Sequence, residues 1–309
     1  MMKITLQRLA YCAALICCSA HAQDETGPRR YLNEVFAEVT RAGDIVYQED
    51  FNDASGKKEK LTLRVFEPKG DTAAKRPLIL ITPGGGFVKH DDHWMDDFAE
   101  PLARAGYVVA LNRYRLANSI GSAEEFYKAL ANAYSDQRAA IRYLVKNADR
   151  FRIDPENIFI GGHSAGSITS LHVAYLDPSD ALPEAMQRAI DARGGLKGKG
   201  GERDQFKIRG VINLSGLVGD LNIIDAKEPP LLSIHGDQDS VVKIDGSAGQ
   251  YGSIPIDQRA QSVGIAHELY VIHGGLHNDT SLPVRCPECV PLVRRFVFNH
   301  MMPVANDSP

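Results

Sequence analysis

The segment Asn157-Ile158-Phe159-Ile160-Gly161-Gly162-His163-Ser164-Ala165-Gly166 constrains the fold more than any other stretch of the chain. A short apolar run of strand type enters a G-x-S-x-G pattern, and a helix is expected to follow from about Ala165 to Tyr175. A serine at such a strand-to-helix turn is held in strained geometry with its Oγ projecting at the sheet edge. Small neighbours let the turn close. The helix start behind it offers free N–H groups and the positive end of a dipole.

A turn of this kind needs a largely parallel sheet layered by helices, and the remaining pattern agrees. Leu61–Phe66 alternates with period two, as a half-buried strand does. Pro77–Ile81 and Tyr107–Leu111 are continuous apolar runs of buried-strand type. Strands resume at Gly210–Leu214, Pro230–Ile234 and Glu268–Ile272. Ser122 and Glu125 form a capping box ahead of a long helix that should end before Asp154-Pro155. A terminal helix is expected from about Pro291 to His300. Residues 177–205 break the rhythm with prolines, a short helical piece and a glycine-rich run, and read as a small cap or surface insertion. No internal repeat is visible.

A serine hydroxyl needs a base to become a nucleophile, and the base needs an acid to orient it. In a fold of this kind the chain order is Ser, then Asp or Glu, then His. Asp239, in the loop after the strand ending at Ile234, is the expected acid; Asp237 is its close rival and Asp220 a distant one. His277 is the expected base because it lies in the loop after the last strand, whereas the rival His273 is still at the strand end. His235 reads as a packed turn residue. An oxyanion needs backbone donors already in place. The loop Thr82-Pro83-Gly84-Gly85-Gly86-Phe87 follows a central strand, and the N–H groups of Gly85, Gly86 and Ala165 are the expected hole. A phosphate-binding loop is excluded by the lack of a following Lys-Ser/Thr pair and of G-x-G-x-x-G spacing.

Together these residues resemble the α/β-hydrolase superfamily. The likeness is to its carboxylesterases with a glycine-rich oxyanion loop, the hormone-sensitive-lipase-like enzymes and the bacterial feruloyl or acetyl-xylan esterase-like group. It rests on Gly84-Gly85-Gly86-Phe87, Tyr114-Arg115-Leu116, Arg152–Ile158 leading to Gly162–Gly166, and the Asp239 and His277 segments, and it covers roughly Leu61 to His300. Pro83 stands where the glycine motif usually begins with His, and Asn118 where Pro usually follows Tyr-Arg-Leu-Ala. The resemblance implies an α/β-hydrolase fold and cleavage of short-chain acyl, aryl or carbohydrate esters through an acyl-enzyme. No cofactor and no metal are expected. The expected partner is a small-molecule or oligomeric ester substrate. Two other readings stay open: a serine peptidase or amidase on the same residues, and a non-catalytic binding protein of the same fold.

Phe87, Trp94 and His163 are the candidate substrate contacts, each being close in sequence to the loop or the nucleophile. His90-Asp91-Asp92-His93-Trp94 reads as a polar loop near the mouth rather than a metal cluster, since its ligands are nearly contiguous. Asp50, Asp53, Lys57, Lys58 and Lys60 read as a solvated turn.

Lys3 and Arg8, the apolar run Leu9–Ala20 and the cleavage signal Ala20-His21-Ala22 form a signal-peptide pattern over residues 1–22, with residues 23–309 as one catalytic domain. Export to a secreted or periplasmic location is expected, with a lipoprotein anchored through Cys18 ranked second. Cleavage removes two basic and no acidic residues, taking the net charge from -4 to -6, which argues against nucleic acid as the main partner. No later apolar stretch reaches the roughly 18 residues of a membrane span. Three of the five cysteines fall in the removed segment, leaving Cys286 and Cys289. In an oxidising compartment a local disulfide is expected between them.

Overall fold

The structure, a computed structural model, describes residues 29–90, 92, 94–196, 206–247 and 249–303. The expected signal peptide and the 197–205 part of the expected insertion lie outside the described residues. Among the described residues eight strands form one sheet: β1 (Val39–Asn52), β2 (Lys57–Pro68), β3 (Arg76–Thr82), β4 (Val108–Asn112), β5 (Ile153–His163), β6 (Ile208–Leu214), β7 (Leu231–Gly236) and β8 (His267–Ile272). Their order is β1-β2-β4-β3-β5-β6-β7-β8, with the β1–β2 and β2–β4 pairings antiparallel and every pairing from β4 to β8 parallel. All seven residues of β3 are buried, as a central parallel strand covered on both faces requires.

The α-helices of the described residues cover the two faces: α1 (Met95–Arg104), α2 (Ala123–Lys146), α3 (Ala148–Phe151), α4 (Ala165–Tyr175), α5 (Glu184–Asp191), α6 (Ser253–Val263) and α7 (Cys289–His300). Leu102 of α1 and Phe296 of α7 bury against Ile79, Val109 and Ile212 on one face. Ile141 of α2, Leu171 of α4, Met186 of α5 and Ile256 of α6 join the core on the other, with Leu78, Leu80 and Ile160. Burying one such side chain contributes roughly 1.5–3 kcal/mol. In the capping box of α2, Ser122 Oγ accepts from the Glu125 N–H at 3.2 Å, and Glu125 Oε2 accepts from the Ser122 N–H at 3.0 Å.

Two elements extend beyond what the sequence pattern marks, and one local reading is corrected. Strand β1 carries no clean alternation, because it is an edge strand with two register shifts against β2, and its pairing rather than its pattern makes it a strand. Helix α2 stops at Lys146, before Asp154-Pro155 as expected, and Asp154-Pro155 lies inside β5. Between the pairs Arg76↔Ile153 and Leu78↔Ile158 the register shifts, and this irregularity is where a proline without an N–H is tolerated in a strand. Asp50 does not belong to a solvated turn. Its side chain is mostly buried and lies 3.1 Å from Arg115 Nη1, while Lys57, Lys58 and Lys60 sit on β2. Within the insertion, α5 packs against α2 through Met186, Ala189 and Ile190.

Candidate active site

The chemistry-bearing residues all lie just beyond the carboxyl ends of parallel strands, where ligands of open α/β sheets sit. Ser164 follows β5 directly, with φ 52° and ψ −121°. A non-glycine residue held there costs on the order of 1–3 kcal/mol, and the surrounding packing maintains it. The flanking glycines are dictated by contact. A Cβ on Gly166 would collide with the Thr82 carbonyl, and one on Gly162 with Gly166 and Thr82, so neither position has room for a side chain. The Ser164 N–H donates to the Leu214 carbonyl at 2.9 Å, which ties the turn to β6.

His277 reaches Ser164 from the loop after β8. Its Nε2 lies 2.9 Å from Ser164 Oγ and its Nδ1 lies 2.7 Å from Asp239 Oδ2, in the loop after β7. Asp239 Oδ1 accepts the N–H groups of Val241 and Val242, each at 2.9 Å. Burial alone would raise the Asp239 carboxyl pKa. Hydrogen bonds from His235, His277 and the Val242 N–H outweigh it and hold the group well below the usual carboxylate range.

The rivals are placed elsewhere. Asp237 Oδ2 receives His273 Nδ1 at 3.1 Å and Oδ1 receives the Gly274 N–H at 2.8 Å, so the two alternative residues pair with each other at an exposed site. Asp220 caps the short 3₁₀ turn Leu221–Ile223 through the Asn222 N–H at 2.9 Å.

Gly85, Gly86 and Phe87 adopt three successive positive φ values, 112°, 61° and 64°. The Gly85 carbonyl accepts from Val88 and Lys89, each at 3.2 Å, which closes the loop beneath Ser164. A Cβ on Gly84 would lie 3.2 Å from Ser164 Cβ and 2.8 Å from His163 Nδ1, so this loop packs directly on Ser164. Ala165 is the first residue of α4, where an N–H has no intrahelical acceptor.

The expected substrate contacts are revised. Phe87 is 1% exposed; its ring packs edge-on against Tyr114 and Phe126, with centroids 6.1 Å and 5.7 Å away, and holds the strained loop. His163 is 2% exposed, between Trp94 and His277 at centroid distances of 5.2 Å and 4.8 Å. Both side chains support the site from below because the loop and the helix close over them. Trp94 is half-buried at the start of α1. His90 and Asp92 are used internally: His90 Nε2 meets the Tyr114 carbonyl at 2.8 Å, and Asp92 Oδ2 accepts from Arg113 at 2.9 Å. Asp91 and His93 lie outside the described residues.

His235 is more than a packed turn residue. It is fully buried, with Nε2 3.2 Å from Asp239 Oδ2 and 2.8 Å from the Val242 carbonyl. Its place four residues before Asp239 is the sequence signal for this contact. Cys286 and Cys289 are disulfide-bonded at the start of α7.

A mostly parallel sheet in this order, with a strained serine at a strand-to-helix turn after β5, defines an α/β-hydrolase fold. Residues 63–223, more than half of the chain, match the BD-FAE family model, and the chain belongs to that family. Gut esterase 1 of Caenorhabditis elegans is 32% identical over 143 residues, 45% of this chain and 24% of the relative. Esterase-5C of Drosophila miranda is 29% identical over 132 residues, 40% of this chain and 23% of the relative. These alignments span about a quarter of the length of the curated relatives. Among solved structures, a thermophilic esterase of Thermogutta terrifontis with propionate bound superposes with a TM-score of 0.62. It is 18% identical, with 87% of this chain and 97% of that chain covered. This match shows the shared fold.

Proposed function

We propose that the protein is a serine hydrolase that cleaves carboxylic esters. The observation that carries the reading is the hydrogen-bonded line Ser164 Oγ, His277 Nε2, His277 Nδ1, Asp239 Oδ2, with contacts of 2.9 Å and 2.7 Å. Ser164 Oγ attacks the ester carbonyl carbon while His277 Nε2 takes its proton. Asp239 holds the imidazole in the Nδ1–H tautomer and stabilises the imidazolium. The N–H groups of Gly85, Gly86 and Ala165 receive the oxyanion, each donor being worth on the order of 10²–10³ in rate. His277 returns the proton to the leaving alcohol. It then takes a proton from water, which attacks the acyl-enzyme and releases the acid and Ser164.

An amphipathic cavity of about 810 Å³ lies under the insertion, lined in part by Phe126, Leu182, Met186, Leu217 and Tyr251. Phe126 of its wall packs on Phe87 of the glycine loop. Structures of the Thermogutta terrifontis esterase have been solved with propionate and butyrate bound and phosphorylated by paraoxon, which supports short acyl chains here. The basic, then apolar, then Ala-His-Ala N-terminus, together with the Cys286–Cys289 disulfide, supports export to a secreted or periplasmic location. Among the described residues no helix is long and apolar enough to cross a membrane.

The test is turnover of acetyl, butyryl and feruloyl nitrophenyl esters by the wild-type chain and by Ser164→Ala, with paraoxon as a covalent probe. Ester turnover lost in Ser164→Ala, and phosphorylation of Ser164 alone, are expected. Turnover by Ser164→Ala overturns the reading.

A further inference from the structure

A buried polar line runs beneath the site and ends on the proposed acid. It starts on α4, where Ser167 Oγ lies 2.6 Å from Asn213 Oδ1, and crosses β6 at Asn213. Asn213 Nδ2 lies 3.1 Å from Oγ of Ser253, the first residue of α6, and 3.0 Å from Ser233 Oγ. Ser253 Oγ lies 2.7 Å from His235 Nδ1, and His235 Nε2 lies 3.2 Å from Asp239 Oδ2. Ser167, Asn213, Ser253 and His235 are all fully buried.

Two backbone groups fix the direction of every proton along this line. The Gly216 N–H donates to the Asn213 side chain at 2.9 Å, so the oxygen of that amide faces Gly216 and Ser167. The amide nitrogen must then face Ser253 and donate to it. At the other end, the Val242 carbonyl only accepts, and it lies 2.8 Å from His235 Nε2, so Nε2 carries the proton. His235 Nδ1 is therefore the acceptor, and the Ser253 hydroxyl donates to it. Each member accepts from the residue before it and donates to the residue after it, and the last donor meets a carboxylate. Aligned bonds in a dry interior polarise one another in the same sense. The oxygen they reach, Asp239 Oδ2, is the one that holds His277 Nδ1 at 2.7 Å.

We propose that His235, fed by Ser253 and Asn213, is a positioning residue for Asp239: it fixes which way the carboxylate faces and sets how strongly Oδ2 pulls on His277. This rests on the roles proposed above for Ser164, His277 and Asp239. The titratable groups facing Asp239 are His235 and His277, and His163 faces His277 with ring centroids 4.8 Å apart. Removing the His235 donor leaves more negative charge on Oδ2 against His277, which favours the imidazolium. The acid limb of the kcat/KM profile then moves to higher pH.

The experiment compares His235→Leu, His235→Gln and Ser253→Ala with wild type in pH–rate profiles. It also follows the low-field proton resonance of the His277–Asp239 hydrogen bond. In His235→Leu, kcat is expected to fall roughly ten- to hundredfold, the range found for outer partners that orient a site's ligands, with little change in KM. The acid limb and the proton resonance both move. His235→Gln keeps an N–H near the Nε2 position and recovers most of the loss. Ser253→Ala moves the limb in the same direction by less. A folded His235→Leu enzyme with limb and resonance unchanged overturns the proposal, as does a Gln variant no better than Leu. If His235→Leu does not fold, Ser253→Ala decides, and an unmoved resonance there overturns it. The resonance reads positioning without turnover, so this outcome is separate from a failure of the esterase reading, which shows as turnover by Ser164→Ala.

Discussion

His163 Nε2 lies 2.9 Å from the backbone carbonyl of His277. A carbonyl only accepts, so Nε2 carries the proton and the residue beside Ser164 holds the loop that bears the proposed base. His163→Ala is expected to release that loop and lower kcat by about tenfold, with KM little changed. His163→Gln keeps a donor and retains most of the activity. Steady-state kinetics on a butyryl nitrophenyl ester checks both.

Gly84→Ala places a methyl group 3.2 Å from Ser164 Cβ and 2.8 Å from His163 Nδ1. The loop must move away, and its donors move with it. The expected loss is on the order of 10²–10³ in kcat, the scale of one missing oxyanion donor. The thermal midpoint, measured in parallel, should fall by only a few degrees. A large drop in the midpoint with unchanged kcat would contradict this account.

Glu228 gives a pH dependence in stability. Burial first, and then repulsion by Asp225, Asp177 and Asp180, push its pKa up to about 7. The folded chain therefore holds this proton more tightly than the unfolded chain does. Stability is complete below the ordinary glutamate range and declines as pH rises towards and through about 7. Glu228→Gln should raise the thermal midpoint at pH 8 and leave it nearly unchanged at pH 4.5. With Glu228 half exposed, a gain of about 1 kcal/mol at pH 8 is the expected scale. Scanning calorimetry at the two pH values tests it.

The Cys286–Cys289 bridge closes a very short loop ahead of α7. On the chain-entropy model such closure contributes about 2 kcal/mol. Reduction, or Cys286→Ser with Cys289→Ser, should lower the thermal midpoint by several degrees. Intact mass with and without reductant reports the thiols directly, and two free thiols in the purified protein would remove the basis of this expectation.

The elbow was legible because its requirements are local: a strand before, a helix after, and two glycines that touch Thr82 and each other. The parallel strands β3 to β7 were legible for the same reason, as continuous apolar runs. Other features depend on partners far along the chain. Strand β1 has a mixed pattern and owes its state to β2. His235 looked like packing because its partner Ser253 is 18 residues away. Asp237 and Asp239 share one loop, and only the turn of that loop, which caps Val241 and Val242 with Asp239, separates them. Phe87 and His163 sit beside the expected contact surface in sequence, but the backbone covers both rings.

Ser164, Asp239 and His277 follow β5, β7 and β8, and β8 is the last strand in both chain order and sheet order. During synthesis the strained Ser164 is thus made 113 residues before His277, the proposed base. Until β8 docks on β7, the proposed nucleophile has nothing to take its proton. A chain that stops short of β8 is therefore expected to lack the proposed activity, which begins only once β8 has docked.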